Sequence, residues 1–251
     1  MSMIRDEALT LRRVDYSETS QVLVCLTRAH GKIRVIAKGS KRSTKTRFSP
    51  GIDLLERGEI VYSQREGREA ALGTLTEWKQ RQPHSGLRSS LERLHAAEYL
   101  AEVTPALVEE GDPHPDLFAA AAETLEQLSA GGEAIPLTGR YQLALVEEVG
   151  VMPMVDRCAL CGGALAGSGE VYFSSQGGGL MCRDCEPAQI EKRLVNREAM
   201  AWIRGEADSL RGAAGAFDVL NYHISHLLGR EPKLAAMVLP ARRRKDIFKP
   251  Q

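Results

Sequence analysis

The chain is predicted to be an α+β multidomain protein, with an N-terminal β-barrel of the OB type followed by a helical domain carrying a small four-cysteine insert. Three observations predict this. Short strands with period-2 patterning and turn signals fill roughly the first 80 residues. After Pro83 the apolar period changes to that of a helix. Two Cys-x-x-Cys pairs then interrupt the helical pattern, at 158–161 and 182–185. The expected boundaries are 1–80 for the barrel, 81–153 for the first helical part, 154–190 for the insert, 191–241 for the second helical part and 242–251 for a basic tail.

In the barrel, Leu9, Leu11 and Val14 mark a first strand, and Tyr16-Ser-Glu-Thr-Ser20 reads as a turn. Gln21–Thr27 is a continuous apolar strand, turned back by Arg28–Gly31. In Lys32–Lys38 the side chains alternate: Ile33, Val35 and Ala37 face one way, Lys32, Arg34, Ile36 and Lys38 the other. Gly58–Ser63 and Ala71–Thr76 supply two more strands, and five short strands fit a closed OB barrel. Cys25, inside the second strand, reads as a buried small hydrophobe.

Charge is the informative feature of this region. Lys+Arg and Asp+Glu both number 33, so the net charge is zero. Yet Thr19–Ile52 contains no acid and eight cations: Arg28, Lys32, Arg34, Lys38, Lys41, Arg42, Lys45 and Arg47. The segment Lys38–Arg47 spaces its cations with Gly, Ser and Thr, which let a backbone approach phosphates and add hydrogen bonds to their oxygens. A polycation beside a barrel strand points to a nucleic-acid contact surface, with Lys38, Lys41, Arg42, Lys45 and Arg47 as first candidates and Lys32 and Arg34 next. The alternative is a solvated loop that offsets acidic helices elsewhere. Phe48 and Tyr62 are placed either to stack on bases or to pack in the core.

The helical part begins after Pro83–Gly86. Leu87, Leu91, Leu94, Ala97, Leu100 and Val103 predict a helix ending near Thr104–Pro105. Leu117–Leu128 predicts a second, stopped by Gly131–Gly132, and Gly139–Gly150 a third with Gly150 as its cap. His84, His95 and His114 have no partner at ligand spacing and read as surface or capping residues. Beyond the insert, Asn196 is an N-cap for Arg197–Arg204, and Ala216–Gly229 is an apolar helix with a glycine stop. Lys233–Leu239 extends the helical domain. The tail Arg242–Lys245 is either a solubilising segment or an extra phosphate contact.

The four cysteines Cys158, Cys161, Cys182 and Cys185 predict one structural zinc ion. Two residues between thiolates let both sulfurs of a pair reach one ion, and a second pair completes a tetrahedron. Gly162 and Gly163 allow the tight turn around the metal. Glu170–Ser174, the turn Gly177–Gly179 and Leu180–Met181 make the module a zinc-ribbon hairpin. A redox pair, disulfides and plain core cysteines are the competing readings. A closed four-thiolate site leaves no position for water, so zinc catalysis is not expected. His223 and His226, three apart, have no third ligand and predict no second metal site. No apolar run reaches membrane-spanning length and no secretory leader is evident, so a cytoplasmic protein is expected.

Taken together, Tyr16-Ser-Glu-Thr-Ser20, Gly31-Lys-Ile-Arg-Val-Ile-Ala-Lys-Gly39 with its basic continuation to Pro50, Arg140-Tyr-Gln-Leu-Ala-Leu145 running to Gly150 and Pro153, and the cysteine pairs resemble the bacterial RecO family of recombination mediators. The resemblance extends over nearly the whole chain. It implies the OB-fold, the helical C-terminal domain and the inserted zinc finger. It also implies binding of single- and double-stranded DNA in the nucleoid, strand annealing, and help in loading recombinase onto strands coated by single-strand-binding protein. RecR and the acidic tail of the single-strand-binding protein are the implied partners, with Arg140 the candidate to receive that tail. No catalytic residue is expected: there is no Gly-x-x-x-x-Gly-Lys-Ser/Thr phosphate loop and no His-x-Glu element of a zinc deaminase. The alternative function is an OB-fold/zinc scaffold that binds RNA or another protein.

Overall fold

The computed structural model describes residues 2–39, 52–64, 72–165 and 171–240, in two compact units, 1–132 and 133–251. In the first unit, strands β1 (Ser2–Asp15), β2 (Gln21–Thr27), β3 (Gly31–Ala37), β4 (Arg57–Gln64) and β5 (Gly73–Gln82) close into a barrel in the order β1-β2-β3-β5-β4. Closure comes from a parallel pairing of β3 with β5, Val35 opposite Gly73 through Ala37 opposite Leu75.

β1 is longer than Leu9–Val14 suggests. Its first half pairs with β4 and its second half with β2, with an irregularity between Thr10 and Arg12 where the strand changes partner. The run Arg5-Asp6-Glu7 carries no strand signal. It is extended because β4 supplies the hydrogen bonds and because the acids have partners: Asp6 with His30, and Glu7 with Arg28 and Arg57. β5 likewise continues past Thr76 to bring Trp78 into the core.

The barrel interior is Ala8, Leu23, Cys25, Ile33, Val35, Ala37, Ile52, Ile60, Tyr62, Leu75 and Trp78. Each large side chain here contributes about 1.5–3 kcal/mol of burial. Gly58 is required by this packing, because a Cβ there would lie 2.8 Å from the Trp78 ring. Cys25 is the buried hydrophobe expected, and burial pushes its thiol up to about 12. Tyr62 is fully buried and belongs to the core, not to a stacking surface. Phe48 lies outside the described residues.

Helices α1 (Leu91–Leu107) and α2 (Pro115–Ser129) belong to the same unit. Ser90 caps α1, accepting from the Arg93 amide, and the helix runs through Pro105 to Leu107 instead of stopping there. His84 corrects its expected surface or capping role. It is buried, its Nδ1 lies 2.6 Å from the Leu55 carbonyl, and it makes no side-chain cap bond. Burial lowers its pKa, so the ring is held neutral.

The second unit contains α3 (Ala134–Glu148), a three-stranded sheet of β6 (Val171–Ser174), β7 (Gly179–Met181) and β8 (Arg193–Val195) in the order β7-β6-β8, and α4 (Arg197–Ile203), α5 (Leu210–Leu228) and α6 (Ala235–Val238). α3 starts a turn earlier than Gly139 because Pro136 is tolerated in a first turn. It ends in a Schellman motif: Gly150 at φ +73° donates to the Glu147 carbonyl and Val151 to that of Val146. Asn196 caps α4 as expected. α5 begins at Leu210 with Ser209 as cap, well before Ala216. Gly212 and Gly215 hide this start in the sequence, since glycine disfavours helix. They are there for packing: a Cβ would meet the Glu198 carbonyl at 2.7 Å and the Ala199 Cβ at 2.8 Å. Among the described residues no helix is long and apolar enough to cross a membrane.

Candidate metal centre and nucleic-acid interface

The candidate metal centre is built by two turns held against each other. In the first, the Gly162 amide donates to the Cys158 carbonyl, the Cys158 amide to the Gly163 carbonyl, and the Gly163 amide lies 3.4 Å from Cys161 Sγ. Gly162 sits at φ +71°, where a side chain would be strained. In the second, the Cys185 and Glu186 amides both donate to the Cys182 carbonyl. β7 aligns the turns: Ala159 donates to the Leu180 carbonyl, the Met154 amide donates to the Gly178 carbonyl, and the Leu180 amide donates to the Met154 carbonyl. Gly179 permits this approach, because a Cβ there would be 2.2 Å from the Met154 carbonyl oxygen.

The four sulfurs of Cys158, Cys161, Cys182 and Cys185 lie within 4.8 Å of one another, and Cys161 and Cys182 are 3.7 Å apart. Tetrahedral bonds of about 2.3 Å put sulfurs about 3.8 Å apart, so the donor set fits one tetrahedral metal ion. Burial opposes ionisation of Cys158, but amide donors from Cys182, Cys161 and Leu160 bring it down to about 6. Hydrogen bonding to Cys182 and Cys161 pushes Cys185 up to about 12.

Polar anchors tie this module to α5. Glu191 accepts from Ser174 Oγ at 2.7 Å, the Gln176 amide at 2.9 Å and the Tyr222 hydroxyl. Burial would raise the Glu191 pKa, but these donors hold it below the usual carboxylate range. Arg193 of β8 reaches the fully buried Asp218 at 2.7 Å. His223 is placed between Ser175 Oγ, 2.8 Å from Nδ1, and the Val151 carbonyl, 2.9 Å from Nε2. It is a structural residue of this joint. The third strand, β8, and these anchors had no sequence signal, because each contact spans tens of residues. Removing one partner of a buried ion pair costs about 3–5 kcal/mol, and less where a partner keeps some water. Arg193, which is part-exposed, is therefore expected to lower the thermal midpoint by several degrees when changed to Ala, read by a calorimetric melt.

The basic stretch divides on folding. Arg28 is spent within the first unit, 2.7 Å from Glu7 and over the Phe118 ring. The segment after α1 covers the start of β3: Gly111 donates to the Lys32 carbonyl, and Gly31 lies so close to Asp112 that a Cβ would be 1.9 Å from its carbonyl oxygen. Lys32 Nζ consequently donates to the Pro105 carbonyl at 2.8 Å, and Arg34 sits 2.5 Å from Glu110. Partial burial lowers the Lys32 pKa, with Glu110 acting in the opposite direction. Lys38 is exposed just past the end of β3. Lys41, Arg42, Lys45 and Arg47 lie outside the described residues, as does the tail from residue 241.

Arg140, on α3, is 2.9 Å from Asp208 and lies over the Trp202 ring at 6.0 Å. Trp202 Nε1 donates to the same Asp208 carboxylate at 3.1 Å. These residues, with Leu143, Ile203 and Ala207, line an open cleft of about 440 Å³.

The family model described as "Recombination protein O N terminal" matches residues 1–84, and that described as "Recombination protein O C terminal" matches residues 88–234. A DNA repair protein RecO from Anaeromyxobacter sp. (strain Fw109-5) is 34% identical over 239 residues, covering 91% of this chain and 91% of that protein. One from Rhodopirellula baltica is 34% identical over 198 residues, 78% of this chain and 72% of that protein. One from Myxococcus xanthus is 30% identical over 241 residues, 93% and 96% of the two chains.

Proposed function

Because the chain belongs to the RecO family of DNA repair proteins, we propose that it is a non-enzymatic recombination mediator. It binds single- and double-stranded DNA, anneals complementary strands and helps load recombinase onto strands coated by single-strand-binding protein. The observation that carries this reading is the acid-free, cation-rich stretch from Thr19 to Ile52, which forms two strands of a closed barrel and continues past exposed Lys38.

Lys38, Lys41, Arg42, Lys45 and Arg47 hold phosphates. Lys32 and Arg34 add to the local potential, and their bonds to Pro105 and Glu110 make them secondary contacts. Annealing then needs only that two strands be held with repulsion neutralised and bases free. The ion in the cysteine cluster is zinc, and its role is to fold the module, since four thiolates close the coordination shell. RecR is a protein partner on the family relationship alone. The cleft beside Arg140 and Trp202 takes the acidic tail of the single-strand-binding protein, whose carboxylates compete with Asp208 for the guanidinium. Arg140→Ala is expected to weaken binding of a peptide of that tail; full-strength binding removes Arg140 from the interface. The protein works in the cytoplasm, at the nucleoid.

The test is annealing of two complementary labelled oligonucleotides, followed by energy transfer. The expected result is acceleration by the wild type without any nucleotide cofactor. A wild type that binds both strands and leaves the annealing rate unchanged would contradict the reading.

A further inference from the structure

We propose that Tyr16, at the tip of the β1–β2 hairpin, is a base-stacking contact for single-stranded DNA; this rests on the DNA-binding reading above and adds a contact to bases. The barrel region carries four aromatic residues, Tyr16, Phe48, Tyr62 and Trp78. Tyr62 and Trp78 are 0% and 2% exposed, whereas Tyr16 is 70% exposed. Val14, two residues before it near the end of β1, is 45% exposed.

The tip is held in place. The Tyr16 and Ser17 amides both donate to the Ser20 carbonyl, at 3.0 and 3.2 Å, and the Ser20 amide donates back to Ser17 Oγ at 3.1 Å. An aromatic ring on a hydrogen-bonded turn loses little backbone freedom when a base lands on it.

Strand register places the tip beside the cationic end of the barrel. Asp15 is opposite Gln21, and Gln21 is opposite Ala37, the residue before Lys38. Two strand spacings, about 10 Å, separate the chains that carry Tyr16 and Lys38. One short stretch of single strand can touch both. The charges at the tip decide which part of the strand goes where. Asp15 and Glu18 flank Tyr16, and Gln21 donates to Asp15 at 3.3 Å. Two carboxylates repel phosphate, so the tip does not suit the backbone. The neutral π-face of Tyr16 suits a base, while the phosphates lie toward Lys38. A closed barrel whose first hairpin loop carries an exposed aromatic is also a general way for OB folds to hold oligonucleotides.

The test is equilibrium binding of the full chain to a fluorescent single-stranded oligonucleotide, to an abasic oligonucleotide of equal length and to a duplex. Tyr16→Ala is expected to weaken single-strand binding on the order of tenfold and leave the salt slope unchanged. Abasic and duplex binding should stay as in the wild type, and Tyr16→Phe should restore single-strand affinity. Equal single-strand affinity for Tyr16→Ala and wild type overturns the stacking contact, as does an equal loss on the abasic strand. Either result leaves the DNA reading standing on the cations. A wild type that binds no oligonucleotide overturns both.

Discussion

Cys158→Ser is expected to lose the bound metal and, with it, the fold of the insert. β6 and β7 are four and three residues long, too short to hold a sheet by burial alone. In a site of this kind metal binding is folding free energy, about 10–16 kcal/mol for zinc-finger peptides at neutral pH. Even if the remaining thiols hold the ion weakly, a loss of about 3 kcal/mol moves the melting midpoint by about 6–12 °C in a chain of this size. The joint to α5 transmits the loss, because Arg193 and Glu191 keep their bonds to Asp218 and Tyr222 only while the module is folded. The measurement is metal content per chain by a chromogenic zinc indicator after thiol modification, with a thermal melt on the same sample. One ion per wild-type chain and a sharp drop in both readings for Cys158→Ser are expected. A variant with normal stability and lost annealing would assign the module a direct role in function.

Local signals were legible in the sequence. Strand alternation in Lys32–Lys38, the cap at Asn196 and the turn glycines Gly162 and Gly150 act over a few residues, and the structure shows each of them. The cysteine spacing is similarly local within each pair, and the structure brings the two pairs together. What could not be read is what distant residues do. The extended backbone of Arg5–Glu7 depends on β4, and β8 on β6. The partners of Lys32 and Arg34 come from Pro105 and Glu110, more than seventy residues on, so a cation count overstates the free charge on β3. His84 carries polar atoms that suggest a surface, yet it is enclosed, whereas Tyr62 takes the core packing offered for it. Tyr16–Ser20 is the turn expected, and it carries an exposed ring.

Reversing charge at Lys38 and Arg42 is the second large effect expected. Each phosphate neutralised releases counterions, so for single strands log K falls with log salt with a slope of about 0.7 per contact. Replacing two cations by two acids removes two contacts and adds repulsion. Lys32 and Arg34 cannot compensate fully, because each already has a partner in the first unit. The most direct measurement of the central claim is binding of a fluorescent single-stranded oligonucleotide across a salt series, for wild type and Lys38→Glu/Arg42→Glu. The account predicts a steep negative slope for wild type and, for the variant, weaker binding at every salt concentration with a slope shallower by about 1.4. Identical curves for the two proteins would contradict it and place the DNA contact outside the barrel's basic end.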